Sequence, residues 1–390
     1  MAASRNRRIE VIQNIPSPYR LHLFEVMAEA LDARGIEFFV HFLSRGHAAR
    51  PSAWRNPTVR FPHRYWSGCG VRSFHLNPGL IARLWRDPPE VLVIGSTFDT
   101  ITSAIVATTV HSRLKVAWSE GNTATPGRLD GLLGRYKRWV FKHCERIAVP
   151  GRSAVEYVAL HQTRTRWRMP EPVLLPNLVD ERRFSPREAW EPAEIRAARR
   201  VLLGESEADK ICICPARLER VKGLQELVER LPSAALAGWK IVIFGQGSLR
   251  EELLTRIAKR GLSGTVEIRD YVPYAEMPKY YAASDLFLLP SRHDPNPLSV
   301  VEALHSGLPV ALTTRAGNYY EALEEGVNGW SLDVDDAAAY TEALRRAFVA
   351  PADERVAMGQ RSKERARANW SSREAVTRFL DALGLDGDVR

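Results

Sequence analysis

The chain predicts an α/β protein of two domains, each built on a parallel sheet. Three observations carry that expectation. At 390 residues the chain exceeds one ordinary core and suits two domains of about 200 residues each. It opens twice in the same way, at Arg8 and again at Lys210, each time with a short apolar run, a loop and a helix. Its charge is split between the halves. Residues 1–180 hold 25 Lys+Arg against 14 Asp+Glu, a net of +11, and the remainder holds 30 against 32, a net of −2. With 45% hydrophobic and 26% charged residues, the composition is that of a folded, soluble chain.

Arg8 to Gln13 reads as the first strand. Ser17 is an N-cap and Pro18 an N1 proline, so a helix runs from Tyr19 to Arg34 with an apolar stripe at Leu23, Val26, Met27, Ala30 and Leu31. Gly35 stops it, and Ile36 to Leu43 is the second strand. This order is a Rossmann-like opening. The first turn lacks G-x-G-x-x-G, which argues against a dinucleotide cofactor. Residues 50–80 are rich in Pro, Gly and aromatics, with Trp54, Tyr65, Trp66 and Phe74, and read as a packed loop. Val91 to Val110 has the length of a membrane span, but it carries Asp99, five threonines and two serines, so strand, loop and helix is the reading. Lys115 to Ser119 is a further strand. His111 and His143 are expected on helices, packing or meeting solvent. Leu132 to Lys142 mixes basic and apolar-aromatic residues. It suits either an acidic bilayer surface or a helix with a solvated basic face. The excess of +11 fits an anionic partner, whether nucleic acid, phospholipid or a phosphorylated acceptor, or else arginine that merely solubilises the chain.

Residues 180–203, charged and Pro-containing, mark the domain boundary. Lys210 to Cys214 opens the second domain. Arg217 and Lys222 follow, five apart and just before Gly223, where both charges and a helix N-terminus can converge on a diphosphate. Trp239 to Phe244 is a strand whose end carries Gly245 and Gly247, which permit close approach of a nucleotide. Val266 to Arg269 is another. Leu286 to Leu289 is a buried strand, followed by a polar loop, an N-cap at Asn296, Pro297 at N1 and a helix to about His305. Gly307 closes that helix, and Leu308 to Leu312 is the next strand. The amides of Leu298 and Ser299 make an anion site. Asp294 and Glu302 sit eight apart around it. A carboxylate repels a phosphate, so Glu302 is expected to accept from sugar or ribose hydroxyls. The bland alternative makes Asp294 a turn residue and Glu302 a solvated helix position. The remainder is helical, over 337–348, 352–369 and 373–383. Cys69, Cys144, Cys212 and Cys214 show neither C-x-x-C nor zinc spacing and favour a reducing compartment.

The segment from Asp294 to Glu302, with Ala303-Leu304 and Gly307-Leu308-Pro309-Val310, resembles the E-x7-E signature of family 4 retaining glycosyltransferases. Asp294 replaces the first Glu, and Asn296-Pro297 stands where Phe-Gly is common. Arg217 and Lys222 match the family's R-x4-K-G motif in full. Asp270-Tyr271-Val272 is similar to the segment that receives the base, with Asp270 in place of Gly. Residues 314–321 resemble the Gly-rich turn beside the donor sugar, and L-P-N-L-V-D resembles the family's strand and Asn turn, with Leu178 where Gly is usual.

The resemblance implies the GT-B architecture: two facing Rossmann-like domains, residues 1–180 on the acceptor side and 181–369 on the donor side, with a C-terminal helix in 370–390 crossing back to the first. It implies Asp294, Glu302, Arg217 and Lys222 as catalytic residues. Gly245, Gly247, Val272, Leu298, Ser299, Gly317 and Asn318 would bind the donor. Tyr19, Arg20 and Glu120 would lie on the acceptor side, Glu120 near where many members carry a His. Residues 50–80 would then offer a second role, as an acceptor wall. The implied reaction is retaining transfer of a sugar from a UDP- or GDP-sugar to a hydroxyl of a glycan or lipid-linked glycan in cell-surface polysaccharide synthesis. No cofactor, metal or nucleic acid is expected, and the location is cytoplasmic, including the inner membrane face. A non-catalytic nucleotide-sugar-binding protein and a GT-B sugar-nucleotide epimerase are the alternatives.

Overall fold

The computed structural model describes residues 7–45, 57–71, 74–95, 100–123, 129–185 and 190–385. Trp54 and Asp99 lie outside them. The chain divides into two compact units: one runs to Leu178 and resumes at Ser372, and the other is Val179–Ser371.

In the first unit the strands are β1 (Arg8–Gln13), β2 (Glu37–Phe42), β3 (His63–Tyr65), β6 (Val91–Ile94), β7 (Leu114–Trp118), β8 (Arg146–Val149) and β9 (Glu171–Leu174). They form one sheet in the order β3-β2-β1-β6-β7-β8-β9, every neighbouring pair parallel. Between β3 and β6, β4 (Cys69–Val71) and β5 (Phe74–Leu76) form an antiparallel pair. Every residue of β6 is buried, as a parallel strand covered on both faces requires.

β1 alone carries a fully buried carboxylate, Glu10. It is matched by His41 Nε2 at 2.7 Å, Arg83 Nη2 at 2.7 Å and Arg8 Nε at 2.9 Å. Trp66 Nε1 donates to His41 Nδ1 at 3.0 Å, so the imidazole carries its proton on Nε2 and gives it to Glu10. Its ion partners hold the Glu10 carboxyl below the usual range despite burial, and burial holds the His41 imidazolium form down. Trp66 thus packs against the core of this unit, in a stretch that is expected as a loop and instead forms the short strands β3, β4 and β5. Two histidines differ from expectation. His111 and His143 lie after the helices Ile101–Thr109 and Gly131–Phe141 rather than on them, because Val110 leaves the first helix with an extended ψ of 134° and the second ends at Phe141.

The second unit holds β10 (Lys210–Pro215), β11 (Trp239–Phe244), β12 (Val266–Arg269), β13 (Leu286–Leu289), β14 (Val310–Thr313) and β15 (Gly329–Leu332). Their order is β12-β11-β10-β13-β14-β15, again all parallel. Each sheet reverses its winding once, between β1 and β6 and between β10 and β13. In open α/β sheets ligands bind beyond the carboxyl ends of the strands at that reversal. The final helix, Ser372–Ala382, packs in the first unit. Ser372 Oγ lies 2.9 Å from His22 Nε2, and Arg34 pairs with Asp381 at 2.7 Å and donates to Leu385 O at 2.9 Å.

Candidate active site

In the second unit the chain places the expected residues in the loops that leave the carboxyl ends of β10 to β14. After β10 the backbone makes a 3-10 turn, Arg220–Lys222, and then enters the helix Leu224–Arg230 through Gly223 in the left-handed region, φ +65°. A Cβ on Gly223 would stand 2.1 Å from Pro290 O at the end of β13. The two loops at the sheet reversal are therefore in backbone contact, and only glycine allows it. Arg292 N and His293 N both donate to Val221 O, at 3.0 and 3.4 Å. That lacing brings Lys222 Nζ onto Asp294 Oδ2 as a half-buried ion pair. The loop after β14 completes it: Asp294 N donates to Arg315 O at 3.2 Å and Gly317 N to Asp294 O at 2.8 Å.

Arg217 is exposed, and among the described residues its guanidinium has no acidic partner. Gly245 and Gly247 lie beside it after β11, and a Cβ on them would meet Ala216 O at 1.9 Å and Leu218 O at 2.5 Å. Glu219 ties this second loop down through Ser248 Oγ, which donates at 3.1 Å. Val272 follows β12 in an irregular segment, half-buried.

The helix after β13 is Leu298–His305, and Pro297, not Asn296, is its N-cap, with φ −70° and ψ 108°. Proline's fixed φ suits either position, and its extended ψ here puts it just outside the helix, one residue later than expected. Leu298 and Ser299 are thus the first two helical residues, whose amides have no intrahelical acceptor. Glu302 is 4% exposed and accepts from Tyr281 OH at 2.7 Å, so the solvated alternative does not hold for it. Its charge, after burial, raises the pKa of Tyr271 and of Tyr274. Asn318 donates through Nδ2 to Pro297 O at 3.1 Å. Its Oδ1, with Ser291 Oγ and Asn296 Nδ2, is buried and lacks a hydrogen-bond partner among the described residues. Three such orphaned atoms around one loop are what a polar ligand would satisfy. Ser291 and Tyr281 were not distinguishable in sequence from core residues. Among the described residues no group of three or more His, Cys, Asp or Glu gathers as a metal site.

In the first unit Arg20 and Glu120 meet. Arg20 lies on the helix Pro18–Asp32, capped by Ser17, and its Nη2 reaches Glu120 Oε1. Its Nη1 donates to Asn177 Oδ1 at 2.8 Å, and Asn177 Nδ2 donates to Glu120 Oε1 at 2.9 Å. The guanidinium stacks on Trp118, 3.9 Å from the ring centroid. Burial pulls the Arg20 pKa down, against the pull of Glu120. Asn177 closes this triad; the Pro-Asn turn was its sequence signal. Tyr19 is half-buried and precedes Arg20 in the chain.

Residues 196–365 match the family model "Glycosyl transferases group 1". A glycogen synthase of Pseudomonas syringae pv. syringae is 30% identical over 202 residues, 51% of this chain and 41% of that one. A GDP-mannose-dependent alpha-(1-6)-phosphatidylinositol monomannoside mannosyltransferase of Mycolicibacterium smegmatis is 31% identical over 231 residues, 55% of this chain and 57% of that one. The chain spans less than half the length of the glycogen synthases it matches. The crystal structure of Anabaena HepE in complex with UDP and glucose superposes with a TM-score of 0.73 at 16% identity, covering 97% of this chain and 99% of that one. Residues 196–365 are thus a group 1 glycosyltransferase domain, and the chain has the GT-B fold.

Proposed function

We propose that the chain transfers a sugar, with retention of anomeric configuration, from a UDP- or GDP-sugar to a hydroxyl of a glycan or lipid-linked acceptor. The observation that carries this is the Lys222–Asp294 pair at the reversal of the second sheet, beside an unpaired Arg217 and the free amides of a helix. The leaving diphosphate gains about one negative charge as the glycosidic bond breaks, and preorganised donors in place stabilise it. Lys222 Nζ has three donors and spends one on Asp294. The other two, with Arg217, face the diphosphate. Asp294, held by Lys222, is turned toward the transferred sugar, and Glu302 accepts from the ribose. Asn318 Oδ1 and the Gly317 turn are sugar contacts. Arg20, Glu120 and Asn177 form the acceptor side. This chemistry uses the chain's own cations and needs no metal.

An acceptor near a membrane is supported by the exposed apolar side chains of the helix Gly131–Phe141. Leu132 is 85% exposed and Trp139 47%, Arg135 and Lys142 flank them, and His143 packs edge-on against Trp139 at 5.5 Å. No helix among the described residues is long and apolar enough to cross a membrane, so the proposed attachment is at a bilayer surface, on the side where nucleotide sugars are supplied.

The test is calorimetry with UDP and GDP, with a transfer assay on two variants. Glu302→Gln keeps an acceptor for Tyr281 while removing the charge, and should weaken nucleotide binding about tenfold or more. Asp294→Asn should bind nucleotide near normally and turn over slowly. Wild-type nucleotide affinity in a folded Glu302→Gln protein refutes the donor assignment. Nucleotide binding without transfer or hydrolysis leaves a non-catalytic binder.

A further inference from the structure

A polar cavity of about 530 Å³ opens in the second unit beside the loops that hold Lys222 and Asp294. Arg220, Arg256 and Arg292 line it, with Gln225, Glu226 and Glu229. Its size is that of a small-metabolite site. Its charges are unevenly used. Arg256 is tied to Glu229 and Glu252. Arg292, 61% exposed, spends only Nη1, on Glu226. Arg220 is exposed and has no acidic partner among the described residues. Two guanidiniums therefore keep donors for an anion, and the carboxylates beside them are acceptors suited to hydroxyls rather than to a second anion.

We propose that this cavity binds a small phosphorylated polyol, with the phosphate monoester on Arg220 and Arg292 and the hydroxyls on Glu226 and Glu229, and that its occupancy tunes the donor site. The coupling follows from the backbone. Arg220 adjoins Val221, whose carbonyl accepts from Arg292 N and His293 N. Lys222 and Asp294, the next residues on each strand of the chain, form the ion pair of the donor site. A ligand that draws Arg220 and Arg292 together loads the same two peptide segments. This coupling rests on the donor-site reading above; the binding does not.

The probe is glucose 6-phosphate, titrated calorimetrically into the full chain, with glucose and inorganic phosphate as separate titrants. Glucose 6-phosphate should bind with a dissociation constant on the order of 0.1–1 mM, as two charge-assisted contacts allow. Inorganic phosphate should bind about tenfold more weakly and glucose not detectably. Arg220→Ala, which removes an exposed side chain and should melt like wild type, lowers the affinity about tenfold or more. Arg292→Ala does the same, and Arg217→Ala, on the donor loop, leaves it unchanged. Saturating glucose 6-phosphate should shift the UDP dissociation constant at least threefold, and UDP should shift that of glucose 6-phosphate by the same factor. No binding of glucose 6-phosphate, equal binding of inorganic phosphate, or full affinity in Arg220→Ala overturns the site. Independent binding of the two ligands overturns the coupling. Should UDP fail to bind while glucose 6-phosphate binds in an Arg220-dependent way, the donor reading falls and this site stands.

Discussion

Gly223→Ala tests how the donor site is assembled. Gly223 holds φ +65°, a region that costs an L-residue about 1–2 kcal/mol. An added Cβ would also lie 2.1 Å from Pro290 O, where contact distances are normally more than about 3 Å, so the backbone at the end of β13 must retreat by roughly 1 Å. Both sides are buried backbone, and neither can yield by rotating a side chain. Strain and displacement together should cost about 2–4 kcal/mol. In a unit of this size each kcal/mol lowers Tm by about 2–4 °C, so the melting transition should fall by roughly 4–16 °C. The retreat carries the loop to Asp294 away from Lys222, so UDP affinity well below the transition should also drop about tenfold or more. Gly261→Ala is the control. Gly261 has nearly the same φ, +66°, with nothing within 4 Å of the added Cβ, so it pays the strain alone and should leave UDP binding untouched. Calorimetric melting and UDP titration of both variants decide the matter. If the two lose equal stability and Gly223→Ala keeps UDP affinity, the backbone contact does not build the site.

Two further outcomes follow from exposed and buried groups elsewhere. The chain should co-sediment with anionic vesicles at low salt and be released at high salt, and Leu132→Ser with Trp139→Ser should reduce binding about tenfold or more; equal recovery with neutral vesicles would refute the membrane surface. Burial pushes His161 and His305 down to about 4, so each contributes stability present above the unfolded value near 6.5 and lost as pH falls from there toward 4, at up to about 1.4 kcal/mol per pH unit; His305→Gln should flatten the slope of urea-unfolding free energy between pH 6.5 and 5, and an unchanged slope would show that its imidazole does not titrate on unfolding.

The places of the residues proposed for the donor side were legible because their setting is local. Arg217, Lys222, Gly223, Asp294 and Glu302 fall at fixed offsets from strand ends, and strand ends are marked by apolar runs that stop at Pro, Gly or a polar loop. What stayed hidden is what long-range packing decides. Tyr281 is one apolar-looking residue of a short helix until the fold sets its hydroxyl on Glu302, 21 residues away. The Lys222–Asp294 contact joins residues 72 apart, and no spacing rule reports a pair formed across a sheet reversal. The shift of the helix cap from Asn296 to Pro297 is of another kind: both residues favour that position, and the surrounding loop chooses. Glu10 ran against its strand's pattern, because its compensation comes from β2 and from Arg83, 73 residues on.

The first unit is not continuous in the chain. It takes residues up to Leu178 and then Ser372 onward, with the whole second unit between. The order of synthesis is therefore not the order of completion. At about 5–20 residues per second, the 193 residues of Val179–Ser371 take roughly 10–40 s to emerge, during which the early strands wait without the helix that covers His22 and Arg34. The later unit, contiguous and self-contained, can finish first. A nascent chain that has released Ser371 but not yet the helix from Ser372 would present a complete second unit tethered to an unsealed first one, and this interval is when the ribosome-bound chain most needs a chaperone.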